Sequence, residues 1–237
     1  MLAAFPDATL ALLKNDLTNV SLPSGAVCFE AGKLIERVYF PASGLISLVV
    51  STRSGELVEA GMIGREGAAW LQNALNGQPS FTRAVVQISG SFSTIAAEPV
   101  RQAIEKSEDA RALVNRYTEI LWAEAQQLAV CNVAHRSLAR LARWLLQGAD
   151  RTGSHELPLT QEFLGEMLGL RRTSVTLLAQ KLQRRGIIKY SRGKITILDR
   201  AALEAAACEC YRIIRELYGV EASAERSEQV ARAGGAG

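Results

Sequence analysis

TQEFLGEMLGLRRTSVTLLAQKLQRRGIIKYSRGKITIL, residues 160–198, decides the reading of this chain. Phe163, Leu164, Met167 and Leu168 have helical apolar spacing, and Gly169-Leu170 offers a turn. A second helical pattern follows over about 171–185, with Val175, Leu178, Ala179 and Leu182 on one face. After Gly186 the period changes to two, in Ile187–Tyr190 and Lys194–Ile197, on either side of Ser191-Arg192-Gly193. Helix, short turn, helix and small hairpin is the order of a winged helix-turn-helix.

The charge agrees with the pattern. From Met167 to Leu198 there is no acid, and there are eight bases: Arg171, Arg172, Lys181, Arg184, Arg185, Lys189, Arg192 and Lys194. A helix entering the major groove of double-stranded DNA needs cations at its flanks, for phosphate, and short polar groups or arginines where it meets base edges. Arg171, Arg172, Thr173, Ser174 and Thr176 supply the second set, and Lys181, Arg184, Arg185, Arg192 and Lys194 the first. A solvated basic helix would have the same composition, but it would not need the winged pattern around it. The net charge of +3 is unevenly spread: residues 1–135 sum to −3, residues 136–200 to +8 and residues 201–237 to −2. One section is built for a polyanion and the rest is not.

At 237 residues, 48% of them hydrophobic, one or two domains with ample core are expected. No apolar run reaches the roughly 18 residues of a membrane span. The N-terminus has no basic region followed by an apolar run, so no signal peptide is read. Cys28, Cys131, Cys208 and Cys210 are spread apart, as reduced thiols of a cytoplasmic protein would be.

The flanking segments complete an α+β plan. Residues 7–18 carry a short amphipathic helix. From Val20 to about Ala97, short β-rich pieces (26–29, 37–40, 45–51, 57–60, 84–89 and 91–95) alternate with glycines, which points to a jelly roll or β-roll. Val100–Gln147 contains no glycine or proline and reads as long helix, broken near 132–136. Val114, Leu121 and Leu128 recur every seven residues, with Tyr117 between them. That is the stripe of a coiled-coil dimer seam, or of a helix packed on its own β-roll, and the seam is preferred. Gly148 is placed to end the next helix, Thr160 and Asp199 to cap those that follow, and the last helix to run 200–217. The domains are therefore a β-roll over 7–105, a dimerisation helix over 106–136, a winged helix over 137–217 and a disordered tail over 218–237.

These residues resemble the Crp/Fnr family of transcription regulators over about residues 10–212. The likeness is carried by CNVAHRSLARLARWLL (131–146), LPLTQEFLGEMLGLRRTSVT (157–176) and GIIKYSRGKITILDRAALE (186–204). VYFPASGLISLV (38–49) and GMIGREG (61–67) support it, and CECY (208–211) is similar to the tail of a branch whose ligand is uncharacterised. The resemblance implies a cyclic-nucleotide-binding-like β-roll, a homodimer on double-stranded DNA and contact with RNA polymerase. It places Arg172 on the recognition-helix arginine that reads guanine in cyclic-AMP-responsive members. It places Thr160 and Glu162 where the first helix meets the DNA backbone, and Gln161 between them is also expected at the DNA. Thr173 and Leu177 stand where those members have a glutamate and a second arginine, so their operator is not carried over.

The resemblance also implies a degenerate nucleotide site. Nucleotide binders of the family hold the ribose with a glycine-glutamate pair and the phosphate with an arginine. Here Arg65 intrudes before Glu66, Thr82 takes the arginine's place, and Arg83 is one residue out of register, which on a strand turns it to the other face. Glu66, Thr82 and Arg83 are the candidate ligand residues, but cyclic AMP is not expected and no cofactor is assigned. Alternatives are a cyclic-nucleotide response through these residues, or a redox response through Cys208 and Cys210. Cys28 and Cys131 read as isolated and His135 as a structural histidine, so neither an iron–sulfur cluster nor another metal site is expected. No phosphate loop, nucleophile elbow or metal-spaced histidine pair suggests an enzyme, and Glu56 and Glu59 fall on opposite faces of a strand.

Overall fold

Two small antiparallel sheets form the N-terminal half of the computed structural model, which describes residues 1–219 apart from Ser54 and Glu56. The expected tail, from residue 220 on, and Glu56 lie outside the described residues. After helix α1 (Asp7–Leu13) come strands β1 (Thr18–Leu22), β2 (Val27–Phe29), β3 (Arg37–Pro41), β4 (Leu45–Ser51) and β5 (Leu57–Ile63). Helix α2 (Leu71–Asn76) precedes β6 (Arg83–Ile88) and β7 (Gly90–Ala96). The strand orders are β1-β7-β3 and β2-β6-β4-β5. β6 and β7 are separated only by Ser89, yet they belong to different sheets, so the chain crosses between layers there and not through a hairpin. β4 and β5 do pair, with a register shift between Leu48 and Val49. Inward residues of both layers, Val38, Phe40, Ile46, Ile63, Val86, Phe92 and Ile95, fill one core.

The glycine-free helical stretch is three helices. α3 (Ala97–Glu105) ends at Lys106, and the Ser107 hydroxyl then accepts from the Ala110 amide at 3.2 Å to start α4 (Glu108–Ala134). A serine cap is enough to restart a helix without glycine or proline. The second break, at His135-Arg136, falls where the sequence put it, before α5 (Ser137–Thr152). Gly148 does not end α5: it lies within the helix against Trp144 and Leu157, and the terminus is Gly153, at φ +70°.

α5 is the pivot of the molecule. Leu141, Trp144, Leu145 and Leu146 are fully buried, and each leucine contributes roughly 1.5–3 kcal/mol of burial. The same cluster takes in Leu45, Val49, Met62 and Ile88 of the β-roll and Leu164, Val175, Leu182 and Ile195 of the C-terminal half. The Trp144 indole donates to Glu59 Oε1 at 2.7 Å, and Ser47 donates to its other oxygen at 2.6 Å.

Strand β8 (Glu156–Leu157), helices α6 (Gln161–Leu168) and α7 (Arg172–Arg184), and strands β9 (Ile188–Ser191) and β10 (Lys194–Ile197) follow, with sheet order β8-β10-β9. The last helix is two pieces, α8 (Arg200–Ala206) and α9 (Cys210–Leu217), parted where Ala207 is extended. The break brings Cys208 and Cys210 against Cys131 of α4, so Cys131 is not isolated. Tyr218, assigned to the tail by sequence, donates to Glu124 at 2.7 Å and lies over Arg151.

Candidate nucleic-acid interface

Thr160 caps α6 by accepting from the Phe163 amide at 3.2 Å. α6 packs across α7 through Leu164, Met167, Val175 and Ala179, which leaves the opposite face of α7 in water. Arg171, Arg172, Thr173, Lys181, Arg184 and Arg185 are exposed, and Ser174 and Thr176 are half-buried. Thr160, Gln161, Glu162 and Arg172 line one groove with Tyr190 and Gly193 of the hairpin. Thr160, Gln161, Glu162 and Arg172 are therefore brought together beside the hairpin.

Besides the Thr160 cap, three more of them already have partners. The Thr176 hydroxyl lies 2.7 Å from Gln161 Oε1, tying α7 to α6. Lys194 pairs with Glu156 at 2.5 Å. Arg192 sits at the wing tip with φ +51°, followed by Gly193 at +73°, the positive pair that a two-residue hairpin turn demands. Gln180 escaped the sequence reading. It is exposed four residues after Thr176 and seven after Thr173, on their face of the helix, and its amide suits an adenine edge. That spacing was available in the sequence. Exposed Leu177 lies between them.

The candidate ligand residues do not share a site. Glu66 is turned towards the C-terminal half, where it meets Arg151 at 3.0 Å and accepts from the Gly64 amide. Burial pushes its carboxyl up, an effect that Arg151 partly offsets. Arg83 pairs with Glu30 at 3.2 Å and lines a separate cleft against α6. Thr82 alone borders a cavity of about 200 Å³ between the β-roll and α4, lined also by Trp70, Ser80, Tyr117, Thr118 and Leu121.

Glu66 belongs to a buried clamp. Arg151 of α5 bonds Glu124 of α4 at 2.8 and 2.9 Å, and Tyr218 closes the far side. Burial pulls the guanidinium's pKa down, but Glu124 and Glu66 outweigh it, so Arg151 is held charged. The approach is close at Gly64, where a Cβ would stand 2.4 Å from that of Arg151.

The stripe expected at a dimer seam is largely covered within the chain. Val114 and Tyr117 are buried in their own β-roll core, and the Tyr117 hydroxyl is bonded to the Ala68 amide at 3.0 Å. Leu121 packs beside them and Leu128 is half-buried. The face of α4 left bare carries Trp122, Ala125, Ala129 and Val133, at spacings of three, four and four. Trp122 is 67% exposed and Val133 91%.

Comparison with known proteins agrees with this architecture. Residues 139–206 match a family model described as the Crp-like helix-turn-helix domain. The global nitrogen regulator of Nostoc sp. is 25% identical over 210 residues, 81% of this chain and 93% of that protein. That of Synechocystis sp. is 26% identical over 216 residues, covering 83% and 95%. Among solved structures, FixK2 from Bradyrhizobium japonicum superposes with a TM-score of 0.69 at 16% identity, covering 81% of this chain and 98% of that one. A CRP-family transcriptional regulator from Thermus thermophilus gives 0.67 at 20%, covering 79% and 96%; at such identities the likeness is one of fold. No helix among the described residues is long and apolar enough to cross a membrane. With a Crp-like helix-turn-helix over residues 139–206 behind a β-roll and a long helix, the chain is similar in sequence and in fold to Crp/Fnr-type transcription regulators.

Proposed function

We propose that this regulator binds DNA in the cytoplasm as a homodimer, with α7 in the major groove and the wing on the backbone, and acts by contact with RNA polymerase and not by catalysis. Arg171, Arg172, Thr173, Ser174, Thr176 and Gln180 meet base edges. Thr160, Gln161, Glu162, Lys181, Arg184, Arg185, Arg192 and Lys194 meet phosphate and sugar. The observation that carries the dimer is the bare stripe from Trp122 to Val133 on a helix whose other face is covered. Such a stripe at heptad-like spacing suits a second copy of the same helix, and pairing two recognition helices suits a two-fold site.

The β-roll is the place for a signal, in line with its domain over 7–105, the connecting helix over 106–136 and the winged helix over 137–217. The cavity beside Thr82 favours a small effector, because its 200 Å³ falls below the roughly 300–1,000 Å³ of drug-sized pockets. Glu66 is committed to Arg151 and Arg83 to Glu30, which argues against cyclic AMP. Thr118 and Leu121 line the cavity from α4, so an occupant would bear directly on the helix that carries the seam.

Val133→Glu tests the dimer. The position is exposed in the single chain, so folding should be unaffected. Sedimentation should show monomers, with weaker binding to duplex DNA. An unchanged sedimentation profile would place the dimer contact elsewhere.

A further inference from the structure

Four side chains that the DNA-binding reading leaves unused converge at the joint between the long helix and the DNA-binding half. Cys131 lies in the last turn of α4, and His135, four residues on, is its C-terminal cap. Cys208 and Cys210 come from the break between α8 and α9, more than 70 residues away. Their ligand atoms all lie within 4.8 Å of one another. Cys131 Sγ is 3.5 Å from Cys208 Sγ, and Cys210 Sγ is 3.5 Å from His135 Nδ1. Cys131 and Cys210 are fully buried, Cys208 nearly so, and no disulfide joins them.

We infer that Cys131, His135, Cys208 and Cys210 form a closed, tetrahedral zinc site that fixes α4 to the α8–α9 pair. Three thiolates and one imidazole are a soft donor set of the kind that structural zinc takes. Zinc–sulfur bonds near 2.3 Å and zinc–nitrogen bonds near 2.0 Å put neighbouring ligand atoms about 3.5–3.8 Å apart around one ion. The two short separations match a single ion. An iron–sulfur core would hold its cysteines farther apart, because several metal and sulfide atoms lie between them.

The surroundings fit as well. Nδ1 of His135 faces the sulfurs, while Nε2 lies 3.0 Å from the Glu209 carboxylate. Donation from the second ring nitrogen to a carboxylate is the usual way of orienting a zinc-bound histidine. Gln127 Nε2 donates to Cys210 Sγ at 3.1 Å. Arg143 is buried beside the cluster and bears electrostatically on Cys131 and Cys208. Its charge balances the net −1 left when a dication binds three thiolates and three thiol protons are released. With all four positions filled by protein, the ion has no open coordination site, so its role is to hold the joint and not to react.

The test begins with protein purified anaerobically from zinc-supplemented cells. Elemental analysis should give one zinc per chain. Cys208→Ser and Cys210→Ser should lower this to near zero, and Cys28→Ser should leave it at one. Cobalt added to the stripped wild-type protein should give thiolate charge-transfer absorption and intense tetrahedral bands, bleached by zinc. The cobalt titration decides the matter should a variant not fold. Less than a few tenths of zinc per chain with no cobalt spectrum would overturn the inference. So would an iron–sulfur chromophore, or a Cys131–Cys208 disulfide whose reduction restores no metal uptake.

Discussion

Arg151→Met removes the one cation in the buried clamp and leaves its shape almost unchanged. In the native chain the guanidinium is 3.0 Å from Glu66 and 2.8 Å from Glu124, with all three side chains largely buried. Taking away one partner of a buried ion pair costs roughly 3–5 kcal/mol, because the remaining charge has lost its solvation and its counter-charge. Here two carboxylates are stranded, so the upper part of that range applies, against a total stability of about 5–15 kcal/mol. The cost is pH-dependent. Without Arg151 the Glu66 carboxyl, already pushed up by burial, loses the cation that offsets this, so stability is retained at low pH and lost as pH rises through its folded-state value. Urea melts followed by tryptophan fluorescence should show a deficit of about 4–5 kcal/mol at pH 7.5 that shrinks towards pH 5. Adding Glu66→Gln and Glu124→Gln to Arg151→Met should recover much of it. A deficit below about 1 kcal/mol, or one independent of pH, would refute the claim that this arginine holds β-roll, long helix and DNA-binding half together.

Glu59, bonded to Trp144 and Ser47, has its carboxyl raised from 4.5 to about 7, chiefly by burial. The stability this confers is complete below pH 4.5 and lost as pH rises through 7, a span of about 3 kcal/mol; Glu59→Gln should flatten that dependence in melts between pH 5 and 8.5. Arg192 holds a left-handed conformation at the wing tip, so Arg192→Asn should stabilise the isolated protein by about 1 kcal/mol while weakening DNA binding in gel-shift titrations. Unchanged binding would remove the wing tip from the interface. Arg184→Ala should weaken binding to every duplex alike and reduce the salt slope by about one, whereas a loss confined to one base step would make it a base reader.

The helix-turn-helix was legible because several signals coincide over residues 160–198: the change of period at Gly186, the Thr160 cap and the absence of acids from Met167 to Leu198. Apart from β1, the β-roll strands were legible from apolar pieces set between glycines, but their sheet partners were not. A crossing between layers at Ser89 looks locally like any tight connection. The phase of the seam was ambiguous for a physical reason. Val114, Leu121 and Leu128 repeat every seven residues whether the helix faces its own β-roll or a second copy, and only the sheets decide which. Gly148 reads as a helix end from the sequence, whereas α5 runs on to Gly153, because sequence does not reveal φ. The cysteine cluster was hidden by the alanine-rich run from 201 to 207, which reads as continuous helix. Only the extended Ala207 turns Cys208 and Cys210 inward to meet Cys131 and His135.

Selection of bound sequences from random duplex DNA, run in parallel with wild-type protein and Arg172→Ala, bears most directly on the reading of α7 as the recognition helix of a dimer. The wild type should enrich a two-fold symmetric site whose half-sites are centred about 34 Å, one turn of duplex, apart. Arg172→Ala should keep that spacing, relax one position in each half-site and lose about 1–3 kcal/mol on the wild-type sequence. No enrichment, a lone asymmetric half-site, or an identical motif and affinity for the variant would contradict it.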